Sequence, residues 1–254
     1  MPPDSNAGVC KLCQQTADLR KSHVISDMAY DEVINPASHP RMVVVRDVPT
    51  GRISDKTQQT RFWERLLCER CEKQFSKYEK YAAEHLLNAQ LPEVKSISDL
   101  VFTLHGLNYA SLKLFLLSIL WRSSIAKGDF FRGINLGPHE VRLRQMLNSE
   151  DPGEPDEYGC VITPFLPEPN LEVSQILSQP ISTRGDGHNG CLFSFRGFAF
   201  NFYISRHALL PAVRKSFLTK GGELIMVRAR IGDYAPLSDL WNRCVSAIHR
   251  EARK

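Results

Sequence analysis

Cys10-Lys11-Leu12-Cys13 and Cys68-Glu69-Arg70-Cys71 are two Cys-x-x-Cys pairs, separated by 54 residues. Two such pairs bring four thiolates within reach of one ion, and four thiolates complete the tetrahedral coordination of zinc. We therefore predict a structural Zn²⁺ site made by Cys10, Cys13, Cys68 and Cys71. The alternative interpretation is four ordinary buried cysteines or two disulfides. The other three cysteines, Cys160, Cys191 and Cys244, have apolar neighbours and are expected to be buried.

The composition is that of a folded soluble protein of one or two domains, with 254 residues, 43% apolar and 24% charged. A net charge of +4 is too mild to imply nucleic acid by itself. The first residues are polar and resemble no secretory signal, so the paired cysteines indicate a reducing, cytoplasmic location. The longest apolar run, 114–121, is too short to span a bilayer, and we predict no membrane partner.

The chain that follows the second cysteine pair has a helical pattern. Phe75, Tyr78, Ala82 and Leu86 recur at steps of three and four residues and form an apolar face. Lys73, Lys77 and Lys80 fall on another face at the same spacing. The order of knuckle, hairpin, knuckle and helix is that of a treble-clef, ββα-like zinc module. We assign it to residues 1–92, with an insertion at 31–60 that contains one β-like run at 42–45.

Residues 93–254 are predicted to form a helical segment followed by an antiparallel, β-rich part, which makes the fold class α+β. One helical segment starts near Ser98-Asp99, pauses at Gly106 and restarts after Asn108 to about Ala126; it is apolar nearly all round and should be deeply buried. Another helix follows Pro138, and 149–157 reads as a surface loop. The predicted strands are 161–162, 173–177, 191–195, 198–204 and 223–229. Residues 239–254 are predicted to form a basic helical tail.

The first module resembles an HNH-type endonuclease of the four-cysteine, treble-clef kind. The resemblance rests on Cys10-x-x-Cys13, Ser22-His23-Val24-Ile25 and Leu67-Cys68-x-x-Cys71 opening a helix, and it covers about residues 8–85. It implies that the zinc is structural, that His23 is the general base, and that a second divalent ion, Mg²⁺ or Mn²⁺, lies beside it. Histidine suits this role because it is neutral near pH 7. The alternative interpretation is a hairpin histidine that hydrogen-bonds the backbone or helps to shield the zinc.

Three positions depart from the pattern of that family. Ser22 stands where the family has an acidic or histidine ligand of the second ion, and Glu72 stands where it has a histidine. The asparagine that usually lies upstream of the second knuckle has no counterpart in Phe62-Trp63-Glu64-Arg65. A carboxylate can bind Mg²⁺ or Mn²⁺, so Glu72 is a candidate ligand, with Glu79 or Asp27 in support. The alternative interpretation is that Glu72 is an ordinary solvated helix residue and that the second ion site is lost.

These patterns leave three hypotheses for function. The first is a metal-dependent HNH-type endonuclease that acts on nucleic acid, DNA rather than RNA, in a mobile-element or phage-defence system. The second is a catalytically inactive zinc-finger module that binds nucleic acid or a protein partner. The third is a structural zinc finger whose working site lies in the C-terminal half.

The lysine face bears on the choice between these hypotheses. Lys73, Lys77 and Lys80, with Lys11 and Arg70 nearby, are spaced to follow phosphates. The alternative interpretation is an ordinary solvated helix face. The sequence gives no signal for the oligomeric state.

Overall fold

The computed structural model describes residues 6–27, 43–45, 62–87, 94–169, 173–185, 187–204, 209–235 and 237–238. They form an α+β fold of helices and mainly antiparallel sheets. The strands are β1 (Ala7–Val9), β2 (Thr16–His23), β3 (Val43–Val45), β4 (Trp63–Cys68), β5 (Val94–Ser96), β6 (Val101–Leu104), β7 (Cys160–Pro164), β8 (Ile176–Ser178), β9 (Ile181–Gly185), β10 (His188–Phe195), β11 (Phe198–Tyr203) and β12 (Leu224–Val227). The helices are α1 (Glu69–Ala82), α2 (Tyr109–Ile125), α3 (His139–Asn148) and α4 (Pro211–Lys215).

The first cysteine pair lies on the turn between β1 and β2, and the second opens α1. Strands β1, β2 and β4 form an antiparallel sheet in that order, with a register shift between Arg20 and Lys21. Cys68 is the last residue of β4 and the N-cap of α1. The buried face of α1 includes Phe75, Tyr78 and Ala82, as the periodicity predicts. A π-helical turn, Ala83–Leu87, continues this helix.

The prediction of a helix starting at Ser98 is wrong. Residues 94–104 form the β5–β6 hairpin, and β6 pairs with β12. The Ser98 hydroxyl does accept a hydrogen bond from the Val101 backbone N–H at 3.1 Å, but it does so within the hairpin turn. The same side-chain chemistry serves both turns and helix N-caps, so Ser98 alone does not distinguish between them.

Helix α2 is the most deeply buried helix among those that the structure describes. Asn108 caps it by accepting a hydrogen bond from the Ser111 N–H at 2.9 Å, at the predicted restart. All residues from Leu112 to Ser123 are buried. This burial confirms the prediction from its all-round apolar pattern, and it makes α2 the central element against which both α1 and α3 pack.

The C-terminal half contains a four-stranded antiparallel sheet in the order β7-β11-β10-β9. The predicted turn at Arg196-Gly197 joins β10 to β11, with φ angles of 56° and 76°. Two consecutive positive φ angles are the mark of a type I′ hairpin turn, which a glycine favours. Strand β3, from the predicted insertion, pairs in parallel with β8.

Apolar side chains of the first module and of the C-terminal half belong to one continuous buried cluster, from Cys10 to Met226. A smaller cluster gathers around Phe165, Leu192 and Ile231. The predicted module boundary at residue 92, the tail helix at 239–254 and Cys244 lie outside the described residues. Across the described part of the chain, every helix is too short or too polar to cross a membrane.

Candidate functional site

The four knuckle cysteines converge on one point. Their sulfur atoms all lie within 4.8 Å of one another, and Cys13 Sγ is 3.9 Å from Cys68 Sγ. Tetrahedral zinc with bonds of about 2.3 Å would hold its sulfur ligands about 3.8 Å apart. The cluster therefore has the size and the ligand set for a structural metal ion such as zinc.

Backbone hydrogen bonds fix this cluster to the hairpin. The Lys11 N–H donates to the Leu66 carbonyl at 2.9 Å, which ties the first knuckle to β4. The Cys68 N–H donates to Cys10 Sγ at 3.3 Å, so one backbone amide links the two pairs. The positions of the sulfur atoms are thus set by the strands and not only by an ion.

The thiols of the cluster differ in their electrostatic surroundings. Burial raises the pKa of Cys10 and of Cys71. At Cys13 partial burial is outweighed by a hydrogen bond from the Gln15 backbone and by neighbouring thiols, which lower the pKa to about 7. The neighbouring Cys13 and Cys71 sulfurs raise the pKa of Arg70. Its positive charge would offset part of the −2 charge of a zinc tetrathiolate.

Ser22 and Glu72, two of the three departures from the HNH pattern, face each other. Ser22 is buried at the end of β2 and accepts a hydrogen bond from the Leu67 N–H at 3.1 Å. Burial raises the pKa of the Glu72 carboxyl, while the nearby Ser22 hydroxyl and the charge of Arg122 oppose that rise. Glu72 Oε1 is buried and has no hydrogen-bond partner among the described residues.

His23 ends β2 and is paired with a carboxylate. Its Nε2 lies 3.6 Å from Asp27 Oδ1, and the histidine and aspartate side chains are 28% and 46% exposed. The imidazole is therefore partly open to solvent, as a group that acts on a large substrate must be. An adjacent carboxylate stabilises the imidazolium that forms when a histidine takes up a proton.

Glu79, the other carboxylate suggested as an ion ligand, is held by Arg122. Arg122 Nη2 donates to Glu79 Oε1 at 2.6 Å, and Nη1 donates to the His23 backbone carbonyl at 2.7 Å. The guanidinium also lies 5.3 Å from the centre of the Phe75 ring. The guanidinium of Arg122 is thus a positive charge next to the His23 backbone. The sequence analysis did not predict this role of Arg122, because α2 showed only an apolar pattern.

Lys73, Lys77 and Lys80 share the exposed face of α1, as the spacing predicts. Two of them have acidic partners on the same helix. Lys73 Nζ lies 2.8 Å from Glu69 Oε1, and Lys80 Nζ lies 3.8 Å from Glu84 Oε1. This face therefore alternates in charge, which is typical of a solvated helix surface.

A basic and aromatic face on the other side of the hairpin was not predicted. Trp63 is 41% exposed, and Lys21 Nζ lies 4.3 Å from the centre of its ring. Arg65, also exposed, is directly opposite Lys21 in the β2–β4 register. The signal in the sequence was the alternation of Trp63 and Arg65 ahead of a buried Leu66-Leu67-Cys68 run.

The C-terminal half has a cleft of about 540 Å³ between the start of α3 and the β9–β10 hairpin. Its polar lining residues are Asn135, His139, Ser182, Thr183 and Asn189. Burial raises the pKa of the one thiol that lines it, Cys191, so this thiol is unreactive. This cleft supports the third hypothesis, in which the working site lies in the C-terminal half. The described residues that line it form no charged or metal-binding group.

Across the described part of the chain, the cysteine cluster is the one group of three or more His, Cys, Asp or Glu side chains close enough to hold a metal ion. The residues around His23 form no second group of that size. No protein-family model, curated protein or solved structure matches this chain.

Proposed function

We propose that this chain is an HNH-type endonuclease, built on a treble-clef zinc module, that cleaves phosphodiester bonds in nucleic acid. The observation that carries the proposal is the position of His23, at the end of the strand that leads away from the first cysteine pair, with its Nε2 3.6 Å from the Asp27 carboxylate. A cytoplasmic location, DNA as the preferred substrate and a role in mobile-element or phage defence belong to the proposal through the resemblance alone.

His23 would act as the general base. Histidine is neutral near pH 7, so it can take a proton from the attacking water. Asp27 would then stabilise the imidazolium, which lowers the energy of the charged intermediate form of the base. Arg122 fixes the backbone at His23 through the carbonyl hydrogen bond and so holds the imidazole in place.

A divalent ion, Mg²⁺ or Mn²⁺, is the second part of the proposal. Glu72 Oε1, a buried carboxylate oxygen without a hydrogen-bond partner among the described residues, can accept a cation, but it lies on the α1 side of the hairpin. The carboxylate beside the outward-facing imidazole of His23 is that of Asp27, which would be the nearer ligand. When bound, such an ion would supply positive charge to the phosphate oxygens. Ser22 would orient the Glu72 carboxylate, and Oε1 of Glu79 is already engaged in an ion pair with Arg122.

A plasmid-nicking assay with Mg²⁺, with Mn²⁺ and with EDTA tests the proposal. His23→Ala should lower the rate by about 10² to 10⁴, the usual effect of losing a general base. His105→Ala is a matched control, because His105 is also 28% exposed and its Nδ1 lies 3.3 Å from Glu223 Oε1. Cleavage that survives His23→Ala, with metal content intact, would refute the role of His23.

The second candidate function is a zinc-stabilised module that binds nucleic acid or a protein without cleaving it. It is favoured by the position of Arg122, whose buried guanidinium forms an ion pair with Glu79 and lies close to Glu72. These two carboxylates are then balanced by a protein cation and need no divalent ion. Absence of nicking in every metal condition, together with salt-dependent binding to duplex DNA, would select this candidate. Changing Lys73, Lys77 and Lys80 to Ala should then reduce the salt slope by about 0.9 for each lysine that contacts a phosphate.

A further inference from the structure

We propose that the outward face of the β2–β4 hairpin binds an unpaired nucleobase on Trp63 and the flanking phosphates on Lys21 and Arg65. The ligand class is single-stranded nucleic acid, or a base displaced from a duplex. This inference rests on the proposed action on nucleic acid and specifies the kind of strand that the site accepts.

The strand register places four side chains on one face. Lys21 pairs with Arg65, and His23 pairs with Trp63. Residues directly opposite each other in an antiparallel pair share a face, and so do residues two apart along each strand. Ser22 lies between Lys21 and His23 and faces inward to Glu72, so the four others face away from α1.

The chemistry of this face matches that of a single strand. Trp63 offers the largest aromatic surface, and 41% of the residue is exposed. Two cations flank it, and among the described residues neither Lys21 nor Arg65 forms an ion pair with a carboxylate. Aromatic rings combined with basic side chains are the means by which proteins hold unpaired bases and their phosphates.

Lys21 covers the ring in the structure, with Nζ 4.3 Å from the ring centre. An exposed cation–π contact is weaker than the stacking of a base on an aromatic ring. A base should therefore displace Lys21, whose long side chain is then free to reach a neighbouring phosphate. Because His23 is the cross-strand neighbour of Trp63, a base stacked there would place its backbone beside the imidazole.

Fluorescence anisotropy with the full chain tests the inference. The probes are labelled dT20, a strand of the same length whose nucleotides are abasic, and a blunt duplex. Trp63→Ala should weaken dT20 binding by about 5- to 150-fold and leave binding of the abasic strand unchanged. Trp63→Phe keeps an aromatic ring and should retain most of the affinity. Lys21→Ala should weaken binding of both strands, because it removes a phosphate contact.

Two variants outside the hairpin serve as controls. Leu210→Ala removes another exposed apolar side chain, and Lys95→Ala removes an exposed lysine from β5; neither should change dT20 binding. Equal dT20 affinity in wild type and Trp63→Ala would overturn the inference, and so would wild-type protein that binds dT20 and the abasic strand equally or binds neither.

The nicking assay separates this inference from the proposed function. If the wild type nicks plasmid but Trp63→Ala binds dT20 as tightly as the wild type, the inference about Trp63 is wrong and the proposed endonuclease activity stands. Tight, Trp63-dependent binding of dT20 without nicking would support the inference and remove the endonuclease activity. A wild-type preference for the duplex over dT20 would show that the face does not select unpaired bases.

Discussion

Arg122 and Glu79 form a buried ion pair that joins the central helix α2 to α1, the helix opened by the second cysteine pair. The Nη2–Oε1 distance is 2.6 Å, and the two side chains are 1% and 20% exposed. The exposed pair of Arg132 and Asp129 has the same distance of 2.6 Å, but both of its side chains are 74% exposed. The two pairs therefore differ in burial and not in length.

Arg122→Met should lower the free energy of unfolding by about 3–5 kcal/mol, because removal of one partner leaves a buried charge uncompensated. Arg132→Met should cost at most about 1 kcal/mol, since water already screens the exposed pair. Urea unfolding of both variants measures the difference. In a cycle with Glu79→Gln, the double variant should lose less than the sum of the single variants. Equal, small losses at both arginines would show that burial does not matter here.

The cysteine cluster predicts one bound metal ion per chain. Elemental analysis of freshly purified protein should find zinc in a one-to-one ratio, and Cys68→Ser should remove it. Structural zinc contributes on the order of 10 kcal/mol of apparent binding energy in small fingers, so Cys68→Ser should also unfold the first module. Cys191→Ala is the control, because that buried cysteine lies in β10, away from the cluster. Full metal content in Cys68→Ser would contradict the ligand assignment.

The burial of Lys113 leads us to predict that its contribution to stability increases at alkaline pH. The residue is 2% exposed, and its Nζ donates to the Pro155 and Tyr158 carbonyls, both at 3.2 Å. Burial lowers the pKa of Lys113 to about 8, although the charges of Cys160, Glu157 and Asp156 act in the opposite direction.

The direction of the effect follows from proton linkage. Between about pH 8 and the usual lysine pKa near 10.4, Lys113 binds more protons in the unfolded chain than in the folded chain, so its own contribution to the free energy of unfolding increases with pH. The buried thiols act in the opposite direction above about pH 9, because burial raises their pKa. The contribution of Lys113 over this range is on the order of 3 kcal/mol. Urea unfolding at several pH values should show a free energy of unfolding that rises with pH in the wild type relative to Lys113→Met. The same slope in both proteins would assign it to other groups.

Gly222 and Gly106 allow the cost of adding a Cβ atom to be compared at two positions with similar backbone conformation. Both have positive φ angles, 79° and 73°. A Cβ atom at Gly222 would lie 2.2 Å from the Leu107 carbonyl oxygen, whereas a Cβ atom at Gly106 would have no neighbour within 4 Å. Gly106→Ala should cost about 1–2 kcal/mol from the backbone conformation alone. Gly222→Ala should cost more, because backbone must also move; thermal melts that rank the two variants the other way would contradict this.

Elements with a strong local pattern could be predicted from the sequence. The apolar faces of α1 and α2, the Asn108 cap and the Arg196-Gly197 turn all depend on residues close together in the chain. Ser98 shows the limit of such reasoning: β6 forms because it pairs with β12, more than a hundred residues later. Local propensity does not contain that pairing.

The candidate site was predictable only in part. The cysteine spacing indicated which four sulfurs would meet, because each pair is fixed by its own turn. The partner of Glu79 could not be predicted, since Arg122 is 43 residues away in sequence and lies within an apolar helix. The outward face around Trp63 depends on the β2–β4 register. A long insertion separates these two strands in the sequence, so the register could not be predicted from local patterns.

The parallel pairing of β3 with β8 sets an order of events during synthesis. Val43 lies beside Ile176, so the partner of β3 is made about 130 residues after it. Chains fold progressively as they leave the ribosome, so the two cysteine pairs can come together while β3 still lacks its neighbour. A nascent chain that ends before Ile176 would leave a valine-rich strand edge unpaired, and such edges favour aggregation. The interval between the synthesis of the two strands is therefore a period in which this strand edge is open to intermolecular pairing.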